Sequence, residues 1–168
     1  LKAQQNEWIS ESAGGYLQAG AVTSGLRVAI MSGKAAIPAG QAIRTGLGAR
    51  SIANSAADYL AEESAKRMLS VGKTRNFVTW RTANKKAYDG LVKELRDVYQ
   101  ERLGTRFADA VRNTKGGMTV DDLLKTPLNN GLADASEDLV SKGILQRMRS
   151  SGLILDSEPD YWPGQGYL

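Results

Sequence analysis

TWRTANKKAYDGLVKELRDVYQERLG, residues Thr79 to Gly104, is the stretch on which the fold turns. Trp80, Ala87, Tyr88, Leu91, Val92, Leu95, Val98, Tyr99 and Leu103 recur at three- and four-residue spacings, the period of a helix with one buried stripe. Thr79 stands where an N-cap would, and Gly104 where a helix would stop. Lys85 with Asp89, and Lys93 with Asp97, are spaced to pair on the outer face. This helix is therefore expected at the centre of a core.

Upstream, Ser51 to Ser70 reads as a second helix with Ile52, Ala56, Tyr59, Leu60 and Met68 on one face and Glu62–Lys66 and Glu63–Arg67 as pairs on the other. Gly72 is its natural stop. Before it, Ala36 to Ala49 carries Pro38, Gly40, Gly46 and Gly48 and reads as a linker or a broken helix. Tyr16 to Gly33 places Ala21, Gly25, Ala29 and Gly33 four apart, so that two helices can approach closely there. Arg27 and Lys34 are the only charges between Ser12 and Ile43, a composition that also suits a surface-seeking helix. A short polar helix, Leu1 to Ser12, precedes Gly14-Gly15.

Downstream, Thr105 to Asn113 is expected as a separate helix with Phe107 and Val111 inward, closed by Gly116-Gly117. Thr119 and Asp122 have the spacing of a capping box. Pro127 and Asn129-Asn130-Gly131 are expected to break the chain, and Asp134 to Ser150 to form the last helix around Leu139, Val140, Ile144 and Met148. Leu153 to Leu155 could form a lone strand, too short to build a sheet. The predicted fold is mainly α: an irregular helical domain with a Gly/Ala-rich N-terminal helical arm (1–50), a helical core (51–155) and an extended acidic-aromatic tail (156–168).

Composition narrows the chemistry. The 168 residues contain no Cys and no His, so thiolate chemistry, disulfides and the commonest general base and metal ligand are all missing. An intracellular location or the inside of a virus particle fits this usage. No run of about 18 apolar residues suggests a membrane span, and a start at Leu1 leads us to expect a processed product or a segment of something larger. Gly72-Lys73-Thr74 resembles the end of a phosphate loop, but the glycine needed five residues earlier is Arg67. Asp156, Glu158 and Asp160 alternate, yet Tyr161 and Tyr167 stand where a calcium loop needs Gly and Glu. Asp121-Asp122 and Glu137-Asp138 sit near helix starts, where carboxylates complement the dipole. No catalytic, metal or cofactor site emerges.

Charge is what remains. Ser12 to Tyr88 holds eleven cations and three acids, net +8, whereas the rest of the chain holds eleven cations and fifteen acids, net −4. Ser64 to Tyr88 has no acid at all, and within it Lys73, Arg75, Phe77, Trp80, Arg81, Lys85 and Lys86 interleave cations with rings. Such a mixture can neutralise phosphates and stack on bases. The same residues could equally be the solvated start of the central helix, with Phe77 and Trp80 as its first core contacts. The acidic tail could fold back over this patch or insert into a neighbouring subunit.

The pattern reads as a non-enzymatic structural component of a larger, oligomeric assembly, such as an internal virion or delivery-apparatus protein. It would contact other subunits through small-residue helices, and nucleic acid or an anionic lipid surface through the patch. The competing reading is a toxin or effector domain of a larger secreted protein that attacks nucleic acid with a metal or with Arg, Lys and Tyr.

Overall fold

The computed structural model describes residues 20–32, 40–70, 82, 85–144, 146 and 147. They form five helices, α1 (Gly20–Met31), α2 (Gly46–Ser70), α3 (Lys85–Arg112), α4 (Val120–Leu123) and α5 (Thr126–Ser141), and the protein is mainly α, as its periodicity predicts. The expected helix Leu1–Ser12, the Leu153–Leu155 strand and the 156–168 tail lie outside the described residues.

α3 is the central element. It packs against α2 on one side and α5 on the other, while α1 leans on α2 and the single turn of α4 on α5. Its 28 residues span about 42 Å at 1.5 Å per residue. Tyr88, Leu91, Val92, Leu95, Val98, Tyr99 and Leu103 are buried, as their spacing requires. Facing them, α2 presents Ala49, Ala53, Ala56, Ala57, Ala61 and Ala65, each with no exposed surface, beside Ile52 and Leu60. Methyl-sized side chains let the two backbones run close, so small residues take the place of large rings in this interface. Arg50 against Gly104 near one end, and Asp58 paired with Arg96 farther along, give the two helices opposite directions.

Three expected breaks are absent. Gly104 does not end the central helix, which continues to Arg112 and takes in the segment predicted as a separate helix, Phe107 and Val111 included. The cost of a helical Gly, about 0.5–1 kcal/mol, is outweighed by the burial of Leu103, Phe107 and Ala108 around it, and Arg50 lies across the space a side chain would fill. Pro127 and Gly131 do not interrupt the chain either. Pro127 lies in the first turn of α5, where its missing N–H costs nothing. Gly131 is buried against Leu103, so close that an added Cβ would fall 2.5 Å from Leu103 Cδ2. The actual break comes later, at Lys142-Gly143, where Gly143 takes φ +67°. The expected Asp134–Ser150 helix is thus extended at its start and interrupted: α5 begins eight residues earlier than predicted, at Thr126, and closes at Ser141, and after Gly143 helical residues resume at Ile144, which is buried as expected. The expected Ala36–Ala49 linker is shorter than its composition suggests, since α2 begins at Gly46 with Thr45 Oγ1 accepting from Gly48 N at 3.0 Å.

Other turns follow the sequence closely. Thr119 and Asp122 close the predicted capping box, with Asp122 N donating to Thr119 Oγ1 and Thr119 N to Asp122 Oδ2, both at 3.2 Å. Just before it, Met118 exchanges two backbone hydrogen bonds with Ile43, at 2.7 and 3.0 Å, tying the entry of α2 to the exit of α3. Gly117 makes this approach possible: its φ is +81°, and a Cβ there would meet the carbonyl oxygen of Ile43.

Candidate polyanion-binding surface

Of the seven residues expected to bind a polyanion, Lys73, Arg75, Phe77, Trp80 and Arg81 lie outside the described residues. Lys85 and Lys86 open α3 and are exposed. Lys85 Nζ is 2.7 Å from Asp89 Oδ2, the predicted i,i+4 pair, whereas no ion pair joins Lys93 to Asp97. Lys86 has no ion-pair partner among the described residues.

The arginines farther along α3 are a different case, because carboxylates from this chain neutralise them. Arg102 holds Asp138 through two bonds, Nε to Oδ2 at 2.6 Å and Nη2 to Oδ1 at 2.7 Å. One turn on, Arg106 holds Asp134 in the same forked way, at 2.6 and 3.1 Å. These two clamps fasten α3 to α5, and their guanidinium groups hold both carboxyls below the usual range. Asp138 is almost completely buried, so the pair is part of the packing. Arg96 Nε lies 2.8 Å from Asp58 Oδ1 on α2, close enough for charge pairing though its N–H is not aligned for a hydrogen bond. Arg112 pairs with Asp109 on its own helix. Glu137-Asp138, expected near a helix start, lies instead in the last turns of α5, where Asp138 serves the clamp and not the dipole. The signal for the clamps was there, in two arginines and two aspartates each four residues apart.

A buried polar contact completes the α2–α3 seam. Ser64 Oγ and Tyr99 OH are 2.8 Å apart with neither exposed, and burial pushes the Tyr99 hydroxyl up to about 12. The pair satisfies two groups that would otherwise be stranded.

A second cationic surface, away from the predicted patch, forms where α2 starts and α3 ends. Arg44, Arg50 and Lys115 are exposed and have no ion-pair partner among the described residues. Arg112 reaches the same corner, its Nη1 3.6 Å from where a Cβ on Gly46 would stand. The acids nearby are engaged: Asp109 with Arg112, Asp121 with Arg27 at 3.2 Å, and Asp122 in its cap, where the Thr119 amide lowers its pKa. Among the described residues no group of three carboxylates converges as a metal site would require, and no helix is long and apolar enough to cross a membrane. Gly72-Lys73-Thr74 and the alternating acids Asp156, Glu158 and Asp160 are outside the described residues. No protein-family model matches the chain, and neither a curated protein nor a solved structure does.

Proposed function

We propose that this chain is a non-enzymatic component of a larger assembly, of the kind found inside a virus particle or a delivery apparatus. It packs through small-residue helices and contacts a polyanion through the cations between Lys73 and Lys86. The observation that carries this reading is the segregation of charge: net +8 over Ser12 to Tyr88 and net −4 elsewhere. The internal pairing of Arg96, Arg102, Arg106 and Arg112 supports it, since the positive charge of α3 beyond Lys93 is neutralised within the fold. Rings at Phe77 and Trp80 among the cations favour nucleic acid at this patch, because stacking adds to phosphate neutralisation.

Binding of a fluorescent single-stranded oligonucleotide, followed against salt, tests the contact. Replacing Arg75, Arg81 and Lys85 with Gln should lower the slope of log affinity on log salt by about two, and an unchanged slope removes the patch. Sedimentation across a concentration series tests assembly. Metal-dependent cleavage of the oligonucleotide during incubation would overturn the non-enzymatic reading.

A further inference from the structure

The corner formed by the start of α2 and the end of α3 carries an unusual neighbour for its cations. Leu47 is 83% exposed, one of two large apolar side chains left in solvent among the described residues. Gly46 and Gly48 flank it and add no side chains, so Leu47 stands clear of the surface. Arg44 precedes it by three residues, and Arg50 follows by three on the same side of α2. Arg50 stays low, its guanidinium and Cγ lying across Gly104, while the Arg44 stem lies against Gly117. Both arginine stems therefore rest on glycine backbone at this corner, and Lys115 is exposed on the loop that Met118 ties to Ile43.

We propose that this corner, Arg44, Leu47 and Arg50 with Lys115 beside them, is a docking surface for an anionic lipid headgroup layer. Leu47 enters the boundary between headgroups and acyl chains, and the arginines meet lipid phosphates. Three observations select this occupant. Among the described residues the unpaired charge at this corner is all positive, because Asp109 and Asp121 are ion-paired and Asp122 caps α4. A phosphate backbone gains nothing from a water-exposed leucine at the centre of its contact, whereas a membrane interface does. Cationic stems lying flat beside an apolar tip can keep their charged ends at headgroup level while the tip goes deeper. The surface lies about 28 Å along α3 from Lys85 at Gly104, under Arg50, and about 40 Å at Arg112, and it is independent of the contact proposed at that end.

Co-sedimentation of the full chain with phosphatidylcholine vesicles, with and without phosphatidylserine, tests this. The chain should follow only the phosphatidylserine vesicles. Each cation near such a surface is worth roughly fivefold in partitioning, so Arg44→Gln/Arg50→Gln should weaken it more than tenfold and flatten its salt dependence. Leu47→Ser should weaken it roughly tenfold while leaving the salt dependence as it was. All three positions are exposed, and an unchanged circular dichroism spectrum confirms that the variants fold. Lys85→Gln/Lys86→Gln should leave vesicle binding intact, which separates failure here from failure of the nucleic-acid contact. The proposal falls if the wild-type chain ignores phosphatidylserine, or if both corner variants bind vesicles like wild type. It also falls if they lose oligonucleotide binding or self-association in place of vesicle binding, which would assign the corner to nucleic acid or to a second copy.

Discussion

At the scale of single residues, stability rests on a few pairs whose partners come from different helices. Asp138 is one-tenth exposed and Arg102 about two-fifths, so removing the carboxylate leaves a guanidinium that water can partly reach. Asp138→Ala should therefore cost about 1–2 kcal/mol, read as a lower urea midpoint, with Lys85→Ala at an exposed pair leaving the midpoint unchanged. The depressed carboxyls of Asp134 and Asp138 give the acid limb its sign. Their folded-state pKa values lie below the unfolded ones, so their contribution is complete above the ordinary carboxyl value of 3.8 and is lost as pH falls below it. Asp134→Asn/Asp138→Asn should lower stability at neutral pH and make its fall below about pH 4 shallower. Tyr99 works at the other extreme. Its hydroxyl is raised from 10.0 to about 12, so stability present below pH 10 is lost as pH rises toward 12. Urea midpoints of Tyr99→Phe should lie below wild type at pH 7, because Ser64 loses its partner, and the gap should narrow in alkali.

At the scale of elements, glycine has two opposite uses in this chain, and they predict opposite signs. Gly90 is exposed on α3 with open space where a Cβ would go. Gly90→Ala should stabilise by about 0.5–1 kcal/mol through helix propensity alone. Gly131 lets α5 run close to α3, since a Cβ added there would stand 3.3 Å from the Leu103 Cα and 2.5 Å from its Cδ2. Gly131→Ala should destabilise by about 1–3 kcal/mol, and chemical denaturation of both variants decides the contrast. This explains why the helix boundaries were harder to read than the helices. Gly104, Pro127 and Gly131 all carry the local marks of a break, and each is overridden by packing or by its position within a turn. Thr119 and Asp122 were legible because a capping box is complete within four residues and needs nothing from elsewhere.

At the scale of the molecule, α3 is the one element shared by both of the main helix interfaces, so its loss should unfold α2 and α5 together. Leu95 is fully buried at its middle. Leu95→Ala should lower stability by about 2–5 kcal/mol while the far-UV transition remains single; two separate transitions would mean that α2 and α5 fold on their own. The candidate sites show how far charge in a sequence can be trusted. The +8 half and the cation-ring run from Lys73 to Lys86 are visible in composition, but the linear sequence does not reveal which cations are neutralised across space. Asp58 and Arg96 are 38 positions apart, and Arg102 and Asp138 are 36 apart.

The sequence by itself determined that the chain is helical, that α3 lies at its centre, which of its residues turn inward, and that positive charge collects in one half. Periodicity and composition are properties of the chain alone. The tertiary structure decided where helices end, because a glycine or proline breaks a helix only when packing does not offset its cost. It also decided which charges face solvent, because a carboxylate from another helix removes an arginine from the surface, and it brought Arg44, Leu47, Arg50 and Arg112 to one corner by folding α2 back along α3.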